Sequence, residues 1–94
     1  MSYYTGLKLS GGRETFLYKG YVSEKTHGHR YSAVIGPFYS KFAADLMSLY
    51  GRNNIHLPSV HAAQEWAKRL SMQGIRSVPQ YLRWLETNAI REIR

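Results

Sequence analysis

The stretch Tyr31-Ser32-Ala33-Val34-Ile35-Gly36-Pro37-Phe38-Tyr39-Ser40-Lys41-Phe42-Ala43-Ala44-Asp45-Leu46-Met47-Ser48-Leu49-Tyr50-Gly51 reads as a buried strand, a sharp turn and a short helix with both ends marked. Val34 and Ile35, with aromatic and small neighbours, are strand formers. The strand is expected to stop at Gly36-Pro37, because proline has no N–H for a ladder and turns the residue before it away from helix. Ser40 stands where an N-cap belongs. Apolar residues then recur at Phe42, Ala43, Leu46, Met47, Leu49 and Tyr50, a helical and not an alternating spacing, and Gly51 is placed to close the helix in a left-handed C′ position. This reading divides the chain: the residues before it have the pattern of sheet, and those after it have the pattern of helix.

Upstream, Tyr3 to Leu9 and Glu14 to Val22 are predicted strands around Ser10-Gly11-Gly12-Arg13, and a Gly-Gly pair is what a two-residue primed turn asks for. Such a loop sets Ser10 opposite Arg13, Leu9 opposite Glu14, Leu7 opposite Phe16 and Thr5 opposite Tyr18. One face then carries Tyr3, Thr5, Leu7, Leu9, Phe16, Tyr18 and Val22 and is the expected core face. The other carries Tyr4, Lys8, Thr15, Leu17, Lys19 and Tyr21, an interleaving of aromatic and basic groups that can stack on bases or lie along a phosphate backbone. The same face also suits a plain solvated sheet, since tyrosine is a good strand former and lysine discourages edge pairing. Ser23-Glu24-Lys25-Thr26-His27-Gly28-His29-Arg30 is a polar connection to the third strand, which completes a meander.

Downstream, residues 52–57 form a loop and Pro58-Ser59 opens a second helix through about Met72, with Val60, Ala63, Trp66, Ala67 and Leu70 as a stripe expected to face the sheet. Lys68 and Arg69 fall late in this helix, where cations favour the dipole, and Gly74 ends it. A third helix begins near Ser77, whose spacing to Gln80 is that of a capping box, with Pro79 tolerated in the first turn. Val78, Leu82, Leu85, Ala89 and Ile93 line one of its faces, Tyr81 and Trp84 flank that face, and Arg83, Arg91 and Arg94 fall on more exposed sides. The expected fold is α+β: a three-stranded antiparallel β-meander followed by, and packed against, two or three helices. It forms a single domain over 1–94, with the meander at 3–36 and helices at 40–50, 59–72 and 78–93.

A chain of 94 residues with 44% hydrophobic and 14% aromatic content has enough apolar matter for one packed core. It has no cysteine, which excludes disulfides, a thiolate zinc site and a cysteine nucleophile. No apolar run approaches the ~20 residues that span a bilayer, and Met1-Ser2-Tyr3-Tyr4-Thr5 lacks the regions of a signal peptide, so no membrane partner and a cytoplasmic location, in a cell or an infected host, are expected. Charge is the outlier: 13 Lys and Arg against 6 Asp and Glu give a formal +7, which suits a polyanionic or acidic partner. The basic residues are spread from Lys8 to Arg94, without a basic tail.

Four histidines are the candidate chemical groups: His27 and His29 in the connection, His56 before the second helix and His61 in its first turn. A His-x-His pair can point both rings one way, yet a closed zinc site needs four ligands and only Glu24 is close in sequence, so neither metal nor cofactor is expected. A metal-independent nuclease with His27 or His29 as general base is a third reading behind the binding readings below. Phosphate-binding glycine loops, a serine elbow and His-Glu-x-x-His are absent, and no catalytic residue is assigned. A helix-turn-helix over residues 59–94 fits poorly, since Arg69 and Gln73 fall where that motif buries apolar groups and the turn is long.

Strand-Gly36-Pro37-Phe38-turn-Ser40-Lys41-x-x-Ala44, following two strands, resembles the three-stranded-sheet-plus-helix DNA-binding modules of AP2 and integrase arm-binding type over residues 3–51. The resemblance implies a sheet laid into the DNA major groove, with contacts from Lys8, Arg13, Lys19, Tyr21 and Arg30. The exposed face here has more Tyr and less Arg than those modules, and two further helices follow. Ile35-Gly36-Pro37-Phe38 also resembles the strand-to-helix turn of SPOR domains, which bind peptidoglycan glycan, although three strands precede the first helix here. The general look is that of a small phage- or mobile-element-encoded protein.

The leading expectation is a non-enzymatic nucleic-acid-binding protein, with DNA ahead of RNA, that uses Lys8, Arg13, Lys19, Tyr21 and Arg30 on the sheet and His27 and His29 at its edge. The competing expectation is a phage-type interaction module or inhibitor that binds an acidic surface of a host protein. Tyr39, Tyr81 and Trp84 would then be its anchors and Arg83 and Arg91 its rim. A hairpin edge and an aromatic-rich terminal helix both permit a homodimer, and neither requires one.

Overall fold

The computed structural model describes residues 1–52 and 54–87, and the backbone alone of 88–93. In chain order the elements are β1 (Ser2–Lys8), β2 (Arg13–Tyr18), α1 (Glu24–His27), β3 (Tyr31–Phe38), α2 (Lys41–Tyr50), α3 (Val60–Met72) and α4 (Val78–Ile93). The class is α+β, with one three-stranded antiparallel sheet and four helices among the described residues. The strand order is β2-β1-β3, so β1 is central. A sequential meander would have placed β2 there.

The three long helices start on local signals. Ser40 accepts from Ala43 N at 3.2 Å and Ser59 from Ala62 N at 3.2 Å, each side chain satisfying an amide that the first turn leaves open. At α4, Ser77 accepts from Gln80 N, while the Gln80 side chain reaches back to Arg76 N at 2.7 Å. Gly74, at φ +86°, ends α3: Gly74 N bonds Ser71 O and Ile75 N bonds Leu70 O, and both Leu70 and Ile75 are buried. Gly51 departs from expectation. It closes α2 at φ −75°, an ordinary helical angle, and its lack of a side chain instead makes room for the Arg13 guanidinium, whose Nη1 would lie 2.7 Å from a Cβ there.

The hairpin register also differs. Gly11 N bonds Lys8 O and Lys8 N bonds Gly12 O, each at 3.0 Å, and Gly11 has φ +95°. These bonds define a three-residue loop, Leu9-Ser10-Gly11, closed by a left-handed glycine. Thr5 therefore faces Thr15, Tyr4 faces Phe16 and Leu7 faces Arg13. The offset from the expected pairing is three residues, an odd number, so β2 is turned over relative to β1. Tyr3, Thr5 and Leu7 lie on the helix side as expected, but Arg13, Thr15 and Leu17 join them, and Phe16 and Tyr18 go to the outer side. Leu9, expected in the core, is an exposed loop residue.

β3 does not stop at Gly36. It continues through Gly36-Pro37, whose peptide is cis, to Phe38, which pairs with Tyr3. An extra residue on β3 between the Ile35–Thr5 and Phe38–Tyr3 pairs makes a bulge there, and β3 is an edge strand, so the missing proline N–H breaks no essential ladder bond.

The core lies between the sheet and the helices. Phe38, Phe42, Ala43, Ala44, Leu46, Met47, Leu57, Ala63, Ala67, Leu70 and Ile75 form one buried cluster. Ala43 and Ala44 are fully buried, and their small side chains let α2 approach β1. There the Thr5 hydroxyl donates to Ala44 O at 2.9 Å and meets Ser48 Oγ at 3.1 Å, and Ser48 Oγ meets Thr15 Oγ1 at 2.9 Å. The α3 stripe packs chiefly against α2 and, to a lesser extent, against β3 of the sheet. Tyr81 joins α4 to the rest through Tyr50 and Trp66, with ring centroids 5.8 and 5.4 Å away. Ala89 and Ile93 of the expected α4 stripe, and Arg94, lie outside the residues whose side chains are described.

Candidate functional site

The side of the sheet away from α2 carries a stack of rings from four elements. Phe16 of β2 lies 5.4 Å from Tyr4 of β1, 4.9 Å from Tyr31 of β3 and 4.8 Å from His27 of α1, all near parallel. Tyr18 meets the His27 ring edge-on at 4.5 Å. Gly6 makes this arrangement fit. It sits in the interior of β1 opposite Glu14, and the Tyr31 ring lies across it, so that the phenol reaches over the central strand and donates to Glu14 Oε1 at 3.0 Å. Arg30 Nη2 lies 3.8 Å from the same carboxylate oxygen, and its guanidinium stands 5.5 Å from the Tyr31 ring centre. Burial, with the Glu14 hydrogen bond and charge behind it, raises the Tyr31 pKa above the usual phenol value, against a smaller opposing pull from Arg30.

His27 is thus a packed residue and not an exposed loop histidine. The connection that carries it contains α1, whose Ser23 cap and Thr26 exchange reciprocal hydrogen bonds. His27 Nδ1 is 2.7 Å from the Thr26 hydroxyl. Its ring holds this one-turn helix against the outer side of the sheet.

Between that connection and edge strand β3 is an open groove of about 840 Å³. It extends from Leu9 at the hairpin end to Ser2 and Pro37 at the other. Tyr4, Tyr31 and Val34 lie along it, with Val22, Glu24 and His27 on the side of the connection. Tyr21, at 93% exposure, stands at its lip.

The predicted contact residues are dispersed around this feature. Lys8 pairs with Tyr31 at the hairpin end, and Arg30 and His29 are at the same end, just before β3. Lys19 and Tyr21 follow the last residue of β2, at the opposite end of the sheet. Arg13 is the clear departure. The inverted register turns it to the helix side, where Nη1 donates to Met47 O at 3.2 Å. Of the residues read as partner anchors, Tyr39 is 93% exposed, whereas Tyr81 is packed edge-on against Tyr50 and Trp66. Burial, then the neighbouring Tyr50, raises its pKa. Trp84 stacks on Tyr81 with centroids 6.0 Å apart, Arg83 is exposed, and Arg91 lies outside the residues whose side chains are described. Among the described residues no three of His, Cys, Asp and Glu are grouped so as to hold a metal, and no helix is long and apolar enough to cross a membrane.

Sequence reasoning placed Tyr4 on the outer face but missed Tyr31, Val34, Pro37 and Glu24 as groove residues. One signal was present: Gly6 inside a strand marks a close approach, here of the Tyr31 ring. Compared with family models, curated proteins and solved structures, the chain matches none.

Proposed function

We propose that this is a small, basic, non-enzymatic nucleic-acid-binding protein whose contact surface is the outer side of the sheet around the groove. Lys8, Lys19, Tyr21, His29 and Arg30 are its contact residues. The supporting observation is the state of the charge. Against a formal +7, only Arg30 and Lys41 among the described lysines and arginines lie within 4.0 Å of a carboxylate. Solvated cations of this kind bind phosphates by releasing condensed counterions. Catalysis by His27 is disfavoured, because a general base needs hydrogen-bond reach to its substrate and this ring is 9% exposed and stacked between others.

Fluorescence anisotropy with labelled oligonucleotides tests the reading. Affinity should fall steeply with salt, with a log–log slope of about −2 to −4 for a few phosphate contacts, and Lys8→Glu with Lys19→Glu should weaken binding while leaving the melting curve nearly unchanged. No binding to any oligonucleotide at low salt would overturn it. The exposed Tyr39, beside His61, Lys68 and Arg76, favours a second reading, an inhibitor or adaptor that docks on an acidic protein surface. Stoichiometric capture of one protein from a lysate after nuclease digestion, with loss of capture in Tyr39→Ala, would favour that reading.

A further inference from the structure

We infer that the groove between the residue 20–28 connection and β3 is a binding site for single-stranded, not duplex, nucleic acid, with Tyr21 as the base-stacking residue. The inference rests on the nucleic-acid reading above and narrows it to a substrate class. Three observations carry it. The first is steric: a sheet that enters a duplex major groove, about 12 Å wide, must present a clear face, and here α1 stands on the outer face with His27 seated against Phe16. The connection and its helix thus project from the face that a duplex would have to approach.

The second is the shape and lining of what remains open. The groove runs along β3 from Leu9 to Pro37 and holds about 840 Å³, room for a short run of unpaired nucleotides along a strand about 25 Å long. Tyr4 and Tyr31 are 7% and 4% exposed and form a floor with little free ring face. Tyr21 differs, its ring 93% exposed at the lip. Bases in a duplex are already stacked on each other, whereas an unpaired base has a π-face to offer such a ring.

The third is charge. Lys19, Lys25 and Arg30 are the chain neighbours of the lining residues Gly20, Glu24 and Tyr31, so basic residues adjoin the groove in sequence, although none of them lines it and Arg30 lies 3.8 Å from the Glu14 carboxylate. Glu24, itself in the lining, is the opposing charge and supplies a diagnostic: a phosphate backbone passing it should bind better once it is neutralised.

The experiment is anisotropy at low salt with one labelled 12-mer, single-stranded and as a duplex, against the wild-type chain, Tyr21→Ala and Glu24→Gln, with a glutamate 12-mer as a further probe. The single strand should bind at least tenfold more tightly than the duplex. Tyr21→Ala should weaken the single strand about tenfold and leave the duplex unaffected, and Glu24→Gln should tighten the single strand severalfold. Both substitutions are at exposed positions, and unchanged circular dichroism would confirm that each variant folds. Equal or tighter duplex binding, or single-strand binding indifferent to Tyr21→Ala, would overturn this inference while leaving nucleic-acid binding intact. Binding of the glutamate peptide in a Tyr21-dependent manner, more tightly than the oligonucleotide, would overturn it in favour of an acidic polypeptide. If neither oligonucleotide binds, the broader reading fails with it.

Discussion

A Cβ placed on Gly6 would lie 2.7 Å from Cζ of Tyr31 and overlap the adjoining ring atoms. That ring has nowhere to retreat: Phe16 is stacked on it, His27 is beyond, and its hydroxyl is bonded to Glu14. Gly6→Ala is therefore expected to cost about 1–3 kcal/mol, the usual range for overpacking a filled site, read as a lowered melting temperature. In a Tyr31→Ala background the same change should cost much less, since contacting residues are not additive. A Gly6→Ala chain as stable as wild type would show that the ring does not lie across this strand. On the helix side, the hydroxyls of Thr5, Ser48 and Thr15 do the comparable work of tying β1 and β2 to α2 by hydrogen bonds.

At the scale of the element, α1 is a helix of four residues, far below the length at which a helix persists alone. Its capping box satisfies two amides, but the apolar contact that holds it is His27 against Phe16, Tyr18 and Tyr31. Removing that ring should release the segment without unfolding the sheet. In His27→Ala, amides of residues 23–30 should lose hydrogen-exchange protection while those of α2 keep theirs. Protection lost uniformly would mean that α1 is part of the global unit. Since this segment walls the groove, the same variant is also expected to alter ligand binding.

The whole molecule is elongated, with extents of 50 × 26 × 21 Å and a radius of gyration of 14.4 Å against about 12 Å for a compact domain of this length. It carries two aromatic clusters on opposite sides, one around Phe16 on the outer sheet and one of Tyr50, Trp66, Tyr81 and Trp84 between the helices. Each contains a tyrosine whose pKa burial raises, Tyr31 and Tyr81. The unfolded chain loses these protons near pH 10, while the folded chain retains them. Stability should thus be full below about pH 10 and decline as pH rises through the elevated folded values. Chemical denaturation between pH 8 and 11.5 should show this fall, and Tyr31→Phe should make it shallower. A stability flat across that range would contradict the burial of both phenols.

The three long helices of this protein were legible in its amino-acid sequence because their signals are local, whereas the one-turn α1 was read as part of a polar connection. Ser40, Ser59 and Ser77 bond amides three residues away, the bonds around Gly74 close within five, and the apolar stripes repeat every turn. The α+β class and the three strands came from equally local patterning. Strand order, hairpin register and the continuation of β3 past Pro37 did not. A two-residue and a three-residue loop are both compatible with Gly11-Gly12, and the choice between them reverses the faces of β2. The observed register is the one that brings Thr15 to Ser48 and Phe16 to Tyr31 and His27, contacts between residues 11 to 33 positions apart. No local preference encodes such contacts. The tertiary structure decided them, and with them that the outer side of the sheet is an aromatic groove walled by the α1 connection and not an open basic face.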